Sequence, residues 1–484
     1  MDSTRQQHSP PASSASSPPQ TQGLVSWPEG EEAEKMLSRY RRVQMHIFPF
    51  VIIPSDTTSA SLRLERPFTW KALMLQCCSN DGHRQHVLGK ELLQEFSEAL
   101  LTRPRKSLDL LQGLILFVAW HHAGLTSFQA TNLLGLTRSL CLSLGIHEGQ
   151  VRELETDLGP LCLEKLRAFA GTYYLITSFY TTSKRTDAFM NTTYLDSLCR
   201  VLEDKALCPT DKLVAYMVKV QQLAQNISLT LSSSTTSQLF LLPMVMVVKS
   251  LQSQIESFKT NIPVDLRDNV VLASHLYTAE TLLYEVGLQD VSVELGGLQG
   301  TDRLEVLWSL FTSLKAFLSL RFDPSGKKCH GFPCISSVDF MYNFLTCLKL
   351  ITLQAPGWDL ARIRRELALP DLADQQIQEL ERLIHLRKRG NNEDMQTSRP
   401  SQDPLQRLAT TLKNISAVLR AMPEPGPMTP LVQNETESND EDADLLDLDF
   451  VSTLVPDAWS GFWAPEDQNG DWNAETPLLG LSSE

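Results

Sequence analysis

The chain contains no lysine or arginine after Arg420, although 15 aspartates and glutamates lie between Glu424 and Glu484. Residues 1–420 hold 43 basic and 42 acidic residues, so that part carries a net charge of +1 and the tail about −15. A body with so little excess positive charge is not expected to bind phosphate backbones by charge alone. A nearly neutral body joined to an acidic tail is typical of a protein with a terminal interaction segment.

Long apolar runs are also absent. The longest, residues 239–248, holds ten residues and contains Pro243, whereas a membrane-spanning helix needs about 20. No apolar stretch precedes Leu24, so no secretory signal is predicted. We therefore expect the nine cysteines to be free thiols in a reducing compartment.

Alternating Val/Ile-rich segments bounded by hairpin turns are nearly missing, whereas helical spacing is common. One helix candidate has a single apolar stripe, with Thr301 expected to cap its start. The stripe comprises Leu304, Leu307, Trp308, Phe311, Leu314 and Leu318. A second candidate, 108–120, is apolar on nearly all sides and is predicted to be buried. The sequence therefore predicts an all-α domain over residues 31–389, preceded by a disordered Ser/Pro-rich segment 1–30.

Residues 390–402 are predicted to be a linker, after which Asp403 and Pro404 open an amphipathic helix over 403–420. Its apolar seam could dock on the domain or pair with another helix. The seam comprises Leu405, Leu408, Leu412, Ile415 and Leu419.

In the tail, residues 421–484, acidic groups alternate with bulky apolar side chains. Repulsion between carboxylates keeps such a segment open, so that a partner with an apolar groove and basic rims can bind it. A solubilising tail and a segment that folds back onto the domain are the alternatives. The predicted partner-binding residues are Leu445, Leu446, Leu448, Phe450, Leu454, Trp459, Phe462 and Trp463.

No glycine-rich phosphate loop, nucleophile elbow or pair of catalytic carboxylates is present. Three sets of residues could suggest a metal or catalytic site, but their spacing fits core, loop or solvated residues better. These sets are Cys77, Cys78, His83 and His86; Cys329, His330 and Cys334; and Asp440, Glu441, Asp442 and Asp444. No enzyme activity, metal or cofactor is therefore predicted.

Several segments resemble the middle homology region of fungal zinc binuclear-cluster transcription factors that regulate secondary-metabolite gene clusters. They are FPFVIIP (48–54) with ERPF (65–68), KSLDLLQGLILFVAWHH (106–122), LLGLTRSLCLSLGI (133–146), and the stretch from Glu164 to Cys199. The resemblance covers about residues 45–205. It implies an all-α regulatory domain, a nuclear location and control of transcription of a metabolic gene cluster.

That family's DNA-binding module holds two zinc ions with six cysteines, but no cysteine precedes Cys77 and no CxxC occurs. We therefore expect indirect contact with DNA through other regulators bound by the helical domain, and contact with coactivators or the transcription machinery through the tail. No membrane contact is expected, and homodimer formation stays open. Arg387, Lys388 and Arg389 form a candidate nuclear import signal. The alternatives are an all-helical enzyme resembling terpene cyclases and an adaptor outside the nucleus.

Overall fold

The computed structural model describes residues 25–121, 124–145, 160–183, 193–236, 243–289, 298, 300–322, 336–389 and 404–423. Of these residues 84% are helical and none lies in a strand, which confirms the all-α fold. No helix in these ranges is long and apolar enough to cross a membrane. Most of the predicted N-terminal segment, the linker and nearly all of the tail lie outside the described residues.

Within the described ranges the N-terminal half contains nine main helices, and α1 continues through a π-helical turn at Tyr40–Gln44. They are α1 (Gly30–Arg39), α2 (Ser59–Glu65), α3 (Pro67–Cys77), α4 (Gly82–Ser97), α5 (Leu108–His121), α6 (Ser127–Ser143), α7 (Pro160–Thr182), α8 (Thr193–Lys205) and α9 (Asp211–Thr236).

The C-terminal half contributes seven more helices to the described chain. They are α10 (Met244–Asn261), α11 (Val270–Tyr284), α12 (Gly300–Arg321), α13 (Ser336–Thr352), α14 (Leu360–Leu367), α15 (Leu369–Arg389) and α16 (Pro404–Ala421).

Helix α5 lies at the centre of the N-terminal half, and every residue from 110 to 120 is buried. It packs against α3, α6 and α7. Gly113 allows α3 to approach closely, because a Cβ at this position would lie 2.8 Å from the backbone carbonyl carbon of Phe68. The nearly uniform apolar character of the 108–120 segment thus corresponds to burial on all sides.

The segment before α2 also belongs to the core. Phe48, Phe50, Val51 and Ile53 are buried, and the rings of Phe50 and Tyr174 lie 4.9 Å apart. The FPFVIIP motif is therefore a packing element that rests on α7.

Helix α12 buries the predicted stripe, including Leu307, Leu314 and Leu318, while the partly buried Trp308 contacts Trp358 with ring centroids 5.0 Å apart. The prediction that Thr301 caps this helix is wrong. The helix begins at Gly300, whose φ of +52° would strain other residues, and Thr301 lies inside the first turn.

Helix α16 begins at Pro404 and packs on α15, with Leu408, Leu412 and Ile415 of its seam buried. Ser416 donates a hydrogen bond of 2.7 Å to Asp374 of α15, and Arg420 lies 2.6 Å from the same carboxylate. In this structure the seam is therefore occupied within the chain.

Gly113→Ala tests the close contact between α3 and α5. The added methyl group would clash with the backbone at Phe68, so we expect the free energy of unfolding to fall by about 1–3 kcal/mol. Gly135→Ala is the matched control, because a Cβ there meets nothing within 4 Å and should be neutral or slightly stabilising. Urea denaturation of both variants measures the difference. Equal stabilities would contradict the packing described.

Candidate functional site

The structure describes none of the tail residues that are predicted to bind partners. All eight tail residues from Leu445 to Trp463 lie outside the described residues. Arg387 is in the last turn of α15, and its guanidinium lies against Gly82, since a Cβ there would be 3.0 Å from its Nε atom. Lys388 and Arg389 end α15, but their side chains are outside the description. The import signal remains a prediction.

The Cys77 and Cys78 cluster lies in the core. The thiol of Cys77 is 3.5 Å from the backbone carbonyl oxygen of Met36, to which it donates. Burial raises the pKa of Cys77 to about 12 and that of Cys78 to about 11. Thiols held protonated in this way are poor metal ligands and nucleophiles. Within the described ranges no three His, Cys, Asp or Glu side chains are placed to hold a metal ion; Cys329, His330, Cys334 and the acidic run lie outside them.

A buried polar network on α11 is the most unusual feature of the described core. His275 is 2% exposed. Its Nδ1 atom lies 2.6 Å from Oδ2 of Asp339 on α13, and its Nε2 atom lies 2.6 Å from the hydroxyl of Tyr174 on α7. The side-chain amide of Gln221 on α9 lies 3.3 Å from Nδ1. His275 and Asp339 are thus a buried pair at ion-pair distance, although no hydrogen bond to Oδ2 of Asp339 meets the usual angular geometry.

One turn further along α11 the network continues to α13. Asn343 donates hydrogen bonds of 2.9 Å to the Thr278 hydroxyl and 2.8 Å to the backbone carbonyl of Asp339. Its amide oxygen accepts a bond of 2.7 Å from the Thr281 hydroxyl. Asn343 is fully buried and uses both ends of its amide. These bonds fix the register between α11 and α13.

The opposite side of α11 carries a buried carboxylate. Glu280 is 5% exposed, accepts a hydrogen bond of 2.6 Å from Ser313 on α12, and lies 2.6 Å from the ammonium group of Lys259 on α10. Burial by itself lowers the pKa of Lys259, but the carboxylates of Glu256 and Glu280 outweigh it, and the pKa is raised. Helix α11 is thus tied by polar contacts to five neighbouring helices.

A second buried ion pair joins α7 to α9. The guanidinium of Arg167 donates to both carboxylate oxygens of Asp211, at 2.7 and 3.0 Å. Asp211 also accepts a bond of 2.9 Å from the backbone N–H of Cys208, before α9. A bidentate arginine–carboxylate pair is stronger than a single hydrogen bond between the same groups. This pair fixes the start of α9 against α7.

These buried groups join neighbouring helices to one another. Tyr174, His275 and Asp339 are each at most 2% exposed. A polar network in a dry core is satisfied in one arrangement of its helices and is costly in others. No local sequence pattern indicates this network, because Tyr174 and His275 are 101 residues apart along the chain.

A double-mutant cycle on His275 and Asp339 tests the network. We expect His275→Leu and Asp339→Leu each to lower the free energy of unfolding by about 3–5 kcal/mol, since each leaves a buried partner unsatisfied. The double variant should lose less than the sum, with a coupling of about 0.5–3 kcal/mol. The exposed pair Glu379 and Arg382 is the control, with little coupling expected. Additive effects at positions 275 and 339 would contradict the network.

Comparison with known proteins gives three curated relatives. The transcription factor opdL of Penicillium oxalicum is 26% identical over 377 residues, covering 71% of this chain and 64% of that protein. A transcription factor of Aspergillus terreus is 24% identical over 377 residues, covering 73% of this chain and 56% of the relative. The transcription factor himD of Aspergillus japonicus is 24% identical over 270 residues, covering 54% and 45%.

The matches thus span between 45% and 64% of the length of these relatives. No protein-family profile matches the chain, and no solved structure matches it. All three relatives carry the name of transcription factor, and all three come from filamentous fungi. The chain is therefore a homologue of fungal transcription factors.

Proposed function

We propose that the protein regulates transcription of a secondary-metabolite gene cluster in a fungus, and that it is not an enzyme. The observation that carries the proposal is the similarity to three fungal transcription factors over 54% to 73% of the chain. The restriction to secondary metabolism rests on the resemblance of residues 45–205 to regulators of such clusters. A nuclear location follows from this role, with Arg387, Lys388 and Arg389 as candidate import residues.

The helical domain is proposed to be a scaffold to which other regulators bind. Its core contains polar groups that couple α7, α9, α11 and α13, so these helices keep one relative arrangement. A rigid domain of this kind loses little conformational entropy when a partner binds to its surface. Contact with DNA is proposed to be indirect, through the regulators that the domain binds.

The tail is proposed to bind coactivators or the transcription machinery. It combines about 15 negative charges with Leu, Phe and Trp side chains and holds no positive charge. Aromatic anchors contribute most of the affinity in protein interfaces, while acidic groups raise the association rate with a basic partner. Trp459, Phe462 and Trp463 are the proposed anchors within the partner-binding set.

Deletion of the gene followed by complementation tests this proposal. We expect transcripts of neighbouring biosynthetic genes to fall in the deletion strain and to recover with the full chain. A variant with Trp459, Phe462 and Trp463 replaced by alanine should restore at most about a tenth of the transcript level, because each anchor contributes roughly 2 kcal/mol. Trp472→Ala, outside the anchor set, is the control and should restore the full level.

RNA sequencing under producing conditions gives the readout, and immunoblots establish that all variants accumulate equally. Unchanged transcripts in the deletion strain would contradict the regulatory role. Full recovery with the triple variant would leave the regulatory role standing but would contradict the function proposed for the tail.

A further inference from the structure

The acidic tail leaves the helical domain beside α14. The guanidinium of Arg364 donates a hydrogen bond of 2.7 Å to the backbone carbonyl of Pro423, the last described residue before Glu424. The same guanidinium donates a bond of 2.9 Å to the carbonyl of Ile351 at the end of α13. Arg364 therefore fixes the point at which the tail departs.

The other positive groups around α14 are already paired. Arg362 lies 2.7 Å from Glu366, and Lys315 of α12 lies 2.7 Å from the same carboxylate. Hydrogen bonds from Arg362 and Lys315 lower the pKa of Glu366 to about 2. Nearby, Arg420 is paired with Asp371 and Asp374. The acidic groups of this surface are therefore neutralised by these three cations.

Arg364 and Arg365 of α14 differ from these three cations because neither has a carboxylate partner in the described chain. In the described part of the chain the guanidinium of Arg364 contacts backbone carbonyl oxygens and no carboxylate. Burial lowers the pKa of Arg364. Arg365 is exposed and makes no hydrogen bond or ion pair within the described ranges. Arg364 thus stands where the tail begins, and Arg365 is the exposed residue that follows it in α14.

The sequence beyond Pro423 supplies the complementary charge. Residues 435–444 hold six carboxylates, and this stretch begins 12 residues after Pro423. A random coil of 12 residues spans about 17–21 Å on average. Tethering at such distances gives an effective concentration in the millimolar range. Weak contacts that would not form between separate molecules can therefore be populated within one chain.

We propose that residues 435–444 dock in cis on Arg364 and Arg365, and that this contact competes with partners for the adjoining tail residues 445–463. The regulatory part of this proposal rests on the proposed function of the tail, whereas the docking itself does not. Each exposed ion pair contributes at most a small amount, so the contact is reversible and sensitive to salt. A partner with stronger apolar and basic contacts can displace it.

Carbodiimide cross-linking of the full chain tests the docking. Arg365→Lys keeps the positive charge and supplies an amine that can be coupled to a nearby carboxylate. Arg407→Lys is the matched control, since Arg407 is an exposed arginine of α16 without an ion pair in the described chain. It lies about 20 Å from Pro423 along the helix. Mass spectrometry locates the cross-linked residues.

We expect position 365 to be linked to residues 435–444 at low ionic strength, about threefold or more above position 407, and the links to disappear in 1 M salt, where the Debye length is about 3 Å. Equal yields from both positions would overturn the docking. Mixing isotope-labelled and unlabelled protein separates links within a chain from links between chains, and links mostly between chains would also overturn it.

A reporter assay tests the competition. In full chains fused to an unrelated DNA-binding module, Arg365→Glu should raise reporter activity by about threefold, the effect of one exposed ion pair, while Arg407→Glu should not. No increase with Arg365→Glu, in a fusion that is active, would overturn the competition. A fusion that is silent in every variant would instead contradict the proposed function of the tail, and the cross-links would still decide the docking.

Discussion

The contact between His275 and the groups around it is the constraint on which the C-terminal half of the domain depends. Its imidazole joins Tyr174, Asp339 and Gln221, which come from three other helices distant in sequence. Apolar side chains tolerate some sliding of one helix over another, but buried polar groups lose their partners when helices shift. The network therefore selects one arrangement of α7, α9, α11 and α13.

This constraint agrees with the proposed regulatory role, because it gives the described part of the domain one defined arrangement of helices. The scaffold keeps a defined surface, and its charge is nearly balanced, whereas the negative charge of the chain is concentrated after Arg420. Some positive groups of the described scaffold are paired inside the core, as Arg167 is with Asp211. Arg364 contacts the backbone carbonyl of Pro423, and together with Arg365 it is the proposed contact between scaffold and tail.

Local patterns in the sequence were sufficient to predict the helices that bury apolar stripes. The stripe of α12, the burial of 108–120 and the start of α16 at Pro404 all follow from spacing or from proline chemistry. The cap at Thr301 was wrong because Gly300 takes a positive φ that a propensity argument does not include. The polar network was missed because Tyr174, His275 and Asp339 share no local motif.

Chromatin immunoprecipitation of the full chain, expressed from its own locus, tests the central claim most directly. The account predicts enrichment at promoters of the neighbouring biosynthetic genes under producing conditions, whether the chain contacts DNA itself or through other regulators. A chain that is well expressed but absent from chromatin under those conditions would contradict the claim that it regulates their transcription.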